Sequence, residues 1–185
     1  MKRRMNRLLL AGVLAVASAG SLTAAAQAGP AAPELPEGLD PVPVGHKVFL
    51  VGHATGVQIY RCTVTGDAYA WGFVEPRADL YDNQGKLLTT HYGGPTWEAR
   101  DGSTVKAARV DGVTVDPDAI PWLLLQAIPQ PAGPDGDRLT GTTYIQRLNT
   151  TGGVSPAVGE CNADTLGDVV EVPYTADYYF WKKAS

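Results

Sequence analysis

KLLTTHYGGPTWEARDGSTVKAARV, residues 86–110, reads as three short strands joined by two tight turns. Residues 86–91, 96–100 and 104–110 carry the apolar and β-branched side chains, and Gly93-Gly94-Pro95 and Asp101-Gly102 separate them. Asp-Gly is a hairpin signal because the favoured two-residue turns need backbone conformations with positive φ, which Gly adopts without a Cβ clash. Gly93-Gly94-Pro95 bends the chain by the same freedom, and Pro fixes its own φ. No window of the chain holds a 3.6-residue apolar stripe, so any helix is expected to be short.

The pattern extends outward in both directions. Further strand-like segments are 47–51, 56–64, 69–74, 78–81, 122–127, 142–149 and 176–181, each rich in Val, Ile, Thr, Tyr or Trp and bounded by turn residues. Asn83-Gln84-Gly85 fits a three-residue hairpin with Gly85 left-handed, and Asp111-Gly112 reads as another turn. Pro129, Pro131 and Pro134 mark a polar loop over 129–137, and Gly152-Gly153 with 159–168 form a long irregular region. The expected fold is all-β: a single-domain antiparallel β-sandwich or partly closed barrel with little helix. Alternation puts Gln58, Tyr60, Cys62 and Val64 on one face of segment 56–64, and a bridged Cys62 would turn Tyr60 and Val64 inward. Tyr178 and Phe180 alternate with Asp177, Tyr179 and Trp181, which predicts a last strand covered on both sides.

Ahead of this domain the composition changes twice. Lys2, Arg3, Arg4 and Arg7 precede an apolar run over 8–19 and then small residues ending Ala26-Gln27-Ala28, the order of a secretory signal peptide over residues 1–28. Cleavage is expected after Ala28, with Ala24-Ala25-Ala26 as a second site. A membrane anchor needs about 20 apolar residues, whereas Gly12, Ser18, Gly20, Ser21 and Thr23 interrupt this run. Arg3-Arg4 resembles a twin-arginine export signal except at Asn6, where that signal has an aromatic residue. Residues 29–43, with five prolines, read as an extended tether rather than part of the core. The β domain then runs over 44–185, and the protein is expected to be secreted or periplasmic. Loss of the signal removes four of 15 basic residues and no acid, leaving 11 against 19 acidic, a net charge of −8. Phosphate backbones are bound mainly by Lys and Arg, so nucleic acid and anionic membranes are poor partners for such a surface.

Cys62 and Cys161 are the two cysteines, and an even count in an oxidising compartment predicts a disulfide, with two free or metal-binding thiols as the alternative. No Gly-x-Gly-x-x-Gly, phosphate-binding Gly-Lys-Ser/Thr loop or His-Glu-x-x-His is present, and no cofactor is expected. Gly153-Val154-Ser155-Pro156-Ala157 ends in Ala where a nucleophile elbow needs Gly. With His46, His53 and His91 as its three histidines, the chain offers no multi-histidine metal cage, and no metal is expected.

One constellation could carry chemistry. His91, Tyr92, Trp97, Glu98 and Asp101 flank the Gly93-Gly94-Pro95 bend. If the strands pair there, His91 with Glu98 or Asp101 could do general acid–base work, and Trp97 with His91 and Tyr92 could line a ligand cleft. A core Trp97 and a hairpin-capping His91 would produce the same pattern. Gln146, Arg147 and Asn149, beside residues 150–153, read as an exposed strand end.

The blocks GVQIYRC (56–62), HYGGPTWEARDGS (91–103), IPWLLLQA (120–127), IQRLNTTGG (145–153) and VPYTADYYFW (172–181) resemble, in order, a family of secreted bacterial and fungal proteins known as a domain of unknown function. Cys62 and Cys161 match the family's cysteine positions, so the resemblance also implies their bridge. It implies no established reaction. Three functions therefore stand open: an extracytoplasmic binding module for a carbohydrate, a wall component or a small apolar ligand; a structural or interaction protein of the cell surface; and a hydrolase or lyase using His91 with Glu98 or Asp101.

Overall fold

Two long strands form the spine of the protein, β1 (His46–Thr65) and β8 (Val169–Lys183), paired antiparallel over most of their length. Between them in the chain lie β2 (Ala68–Tyr81), β3 (Leu87–Tyr92), β4 (Thr96–Ala99), β5 (Thr104–Val113), β6 (Trp122–Ile128) and β7 (Tyr144–Gly152). Each pairs antiparallel with the next, and β8 returns to β1, so the sheet closes into a ring in chain order. This is a computed structural model, and it describes residues 29–184. Residues 1–28, read from the sequence as a signal peptide, lie outside the described residues. Among these residues the one helical element is a 3₁₀ turn, Val158–Glu160, and no helix is long and apolar enough to cross a membrane. The all-β, antiparallel class expected from the turns is the one observed.

The ten segments become eight strands because two apparent breaks are not breaks. Gly52 lies inside β1, where an added Cβ would come within 3.0 Å of the Leu80 side chain; the glycine marks a close approach of strands. Pro76 lies inside β2, opposite Gln58 of β1. It is tolerated because β3 pairs with β2 only over 78–81, which leaves the residues around Pro76 on a free edge that asks for no N–H. Asp111-Gly112, expected as a turn, lies within β5 instead. The register against β6 shifts between Arg109 and Asp111, so the glycine serves a bulge, and the Asp111 carboxylate accepts the Asp40 amide at 2.7 Å. Asp101-Gly102 does turn the chain, with Gly102 at φ 74° and its amide donating to Ala99 O.

Inward-facing residues form a belt around the ring. Val105, Trp97, His91, Ala78, Gly56 and Tyr174 oppose one another in turn across β5, β4, β3, β2, β1 and β8. Gly56 and Ala78 are small where the ring is crowded: a Cβ on Gly56 would collide with Arg77 O and with Ala78. Outside the ring, Leu39, Leu124 and Leu148 bury together, with Leu35, Val42, Trp122 and Tyr179 packed on them. The Pro-rich segment therefore does not stay clear of the core; it lies over β6–β8 and covers the outer face of β8, whose aromatics point both ways. Tyr60 and Cys62 are buried as alternation predicts, but Val64 is exposed, because the β1–β2 hairpin by then has run past the ring. Cys62 is covered instead by the loop before β8, to which it is disulfide-bonded through Cys161, with the Cys62 amide donating to Asp168 O. Such a bond suits an oxidising compartment.

Candidate functional site

The β3–β4 hairpin sets His91 directly opposite Trp97 on the inner face. Their rings stack at 4.2 Å and 7°, and both are buried. Nδ1 of His91 lies 2.9 Å from Thr96 O, which fixes the proton on that nitrogen. Burial pushes the His91 pKa down to about 4 against the opposing Thr96 bond, so the imidazole is neutral near pH 7. Tyr178 and Phe180 of β8 meet the Trp97 ring edge-on at 5.5 and 6.1 Å.

Above these rings the ring of strands opens into a cavity of about 460 Å³. Its deep end is formed by Gln58, His91, Trp97 and Tyr178, and its walls by Tyr60, Ile120, Leu123 and Leu125. The exposed Phe73, Glu75 and Arg109 line its outer part. Tyr60 and Phe73 meet edge-on at 5.7 Å, and the Tyr60 hydroxyl donates to Gly153 O at 2.7 Å. Burial raises the Tyr60 pKa and that of Tyr178, with the charge of Arg147 opposing both.

Arg147 is the charged group of this interior. The alternation of β7 puts it on the same face as Ile145, between Leu123 of β6 and Tyr178 of β8. Its Nε and one terminal nitrogen donate to Pro121 O at 3.1 and 2.8 Å. The ion pairs His53–Asp177 and Arg77–Glu171 include neither Arg147 nor Arg109. Two buried N–H donors of cavity-lining side chains, Gln58 Nε2 and Trp97 Nε1, also lack a partner.

The remaining candidates are placed elsewhere. Glu98 faces away from the interior and accepts from the Tyr92 hydroxyl at 2.9 Å on the outer surface. Asp101 accepts from the Ser103 hydroxyl and amide at 2.6 and 3.0 Å and from the Arg138 amide at 2.9 Å. The Ser103 hydroxyl, then the Arg138 amide, hold its carboxyl below the usual range; it ties the turn to the Pro-rich loop. The structure thus brings His91 and Trp97 together and leaves Tyr92, Glu98 and Asp101 outside the cavity. Gln146, read as part of an exposed strand end, is instead fully buried, its Oε1 accepting from Trp181 Nε1, while the exposed Asn149 donates to Asp177. His53 lies between Asp177 Oδ1 (2.6 Å) and Asn83 Oδ1 (2.8 Å) at the surface, and His46 bonds Pro43 O. No group of three or more His, Cys, Asp or Glu among the described residues could hold a metal ion.

Arg147, Tyr60 and Gln58 carry the cavity but were not read from the sequence as a site. The available signal was phase: Arg147 is two residues from the apolar Ile145 and so shares its face, and a charge in step with the inward residues of a strand marks a polar point in a core. No curated protein and no solved structure is similar enough to this chain to count as a match. A family model, by contrast, matches residues 43–182, a span that takes in all eight strands except the last residue of β8, the disulfide and every residue lining the cavity. This chain belongs to the family of proteins of unknown function DUF3455.

Proposed function

We propose that this protein is an extracytoplasmic binding module that holds a small, largely apolar ligand in the open end of its ring. The observation that carries the reading is the cavity of about 460 Å³ lined by Tyr60, Phe73, Trp97, Leu123 and Leu125. Small-molecule sites are concave, mostly apolar and about 300–1,000 Å³ in size, with a few polar groups to fix orientation. The mouth of a β-ring is also where such sites recur. A small apolar ligand fits better than a sugar stacked on tryptophan, because one face of Trp97 is occupied by His91 and its other flanks by Tyr178 and Phe180.

Fluorescence titration with the neutral dye N-phenyl-1-naphthylamine tests it. Saturable binding is expected in the native protein. Leu123→Trp, which fills the cavity from a half-buried wall, should abolish it while leaving the thermal midpoint close to native. Phe73→Ala, at an exposed position, should weaken it. Absence of saturable binding, or binding unchanged by Leu123→Trp in a folded protein, overturns the proposal.

A further inference from the structure

The cavity is apolar in its walls and carries a few polar groups at its deep end. The two side-chain atoms there that are fully buried without a partner are both N–H donors, Gln58 Nε2 and Trp97 Nε1, while His91, protonated on Nδ1, leaves Nε2 as an acceptor. Arg147 adds a guanidinium, of whose five N–H groups Pro121 O occupies two, with the Tyr178 hydroxyl as a further hydrogen-bonding neighbour. That cation is half-buried, faces Leu123 and Tyr178, and has no carboxylate within ion-pair distance among the described residues. A charge withdrawn from water without a counter-ion is costly, and buried donors without acceptors add to the penalty. His91 supplies no second positive charge, since its imidazole is neutral and Nδ1 is committed to Thr96 O. The acid among the lining residues, Glu75, is at the exposed outer part, against Gly93.

From this we infer that the ligand is a small monoanionic acid, an aromatic or branched apolar body bearing one carboxylate that faces Arg147, with Gln58 and Trp97 as further donors. The inference rests on the binding-module reading and narrows it. A carboxylate fits because its planar pair of oxygens matches the fork of a guanidinium, and Arg147 is the one cation among the half-buried and buried lining residues, Arg109 being exposed at the mouth. The apolar walls receive the body, and the donors are satisfied only when the acid is in place.

Calorimetric titration of the purified protein with 2-naphthoate, 2-naphthamide and 2-naphthylmethylamine separates the possibilities, since the three share one ring system and differ in charge. The acid is expected to bind about tenfold or more tightly than the amide, the scale of a hydrogen bond to a charged partner, and the amine weakest. Arg147→Met should reduce the acid to the affinity of the amide, and Arg147→Lys should restore part of the difference. If acid and amide bind the wild-type protein equally, or the amine binds best, the carboxylate inference fails while the cavity reading stands; this comparison needs no variant. If none of the three binds and the neutral dye also fails, both readings fall. A preference for the acid that survives Arg147→Met in a folded protein also overturns the assignment to Arg147.

Discussion

Lowering the pH from neutral should destabilise this protein through one residue. Burial against Trp97 and Tyr178 depresses the folded pKa of His91 to about 4, from an ordinary 6.5. Between those values the unfolded chain binds a proton that the folded chain refuses. The stability that His91 confers as a neutral core ring is therefore complete above pH 6.5, falls as pH drops toward 4, and is fully lost below it. The whole window corresponds to about 3 kcal/mol of folding free energy, most of it gone by about pH 4.5. His53 works in the opposite sense: its bond to Asp177 raises its pKa, so its contribution is present below 6.5 and fades as pH rises through the folded value. Urea unfolding at intervals between pH 4.5 and 7.5, on wild type and His91→Phe, isolates the effect. The variant loses the Thr96 bond and starts lower, but its stability should be flatter across the window by about 2–3 kcal/mol. Parallel stability curves for the two proteins would refute the reasoning, because they would mean that His91 titrates alike folded and unfolded.

Two further outcomes follow from the same packing. Replacing both Cys62 and Cys161 with Ala frees a closure of 99 residues, which on the chain-entropy model costs about 4–5 kcal/mol; a shift in unfolding free energy under about 1 kcal/mol in denaturant titration would count against that account. Gly56→Val should cost about 1–3 kcal/mol or more by overpacking the belt against Ala78, seen as a lower urea midpoint at unchanged slope; a native midpoint would show that β1 and β2 can part there without penalty.

The strands and their order were legible in residues 86–110, since hairpin turns and alternation are local properties of the backbone. Asp101-Gly102 turned the chain as its chemistry demands, and both faces of β8 proved covered as its aromatics indicated. Residues 75–77 around Pro76, and Asp111-Gly112, continue their strands because a proline or Asp-Gly ends one only when the flanking ladder needs that N–H or lacks a bulge. Whether it does depends on where the neighbouring strand ends.

The candidate site divides along the same line. Sequence adjacency could bring His91 and Trp97 face to face, because one hairpin makes them cross-strand partners. Alternation within one strand turns Glu98, one residue from Trp97, to the other face, but nothing local decides that Asp101 holds a loop. Nor could adjacency find Arg147, which reaches the same interior from a strand fifty residues further along. Local pattern determined that this chain is an antiparallel β domain, since period-two alternation and turn chemistry act over a few residues. Only closure of β8 onto β1 decided that a cavity exists and that an unpaired cation lines it, since which side chains share an interior depends on register and curvature summed over the whole ring.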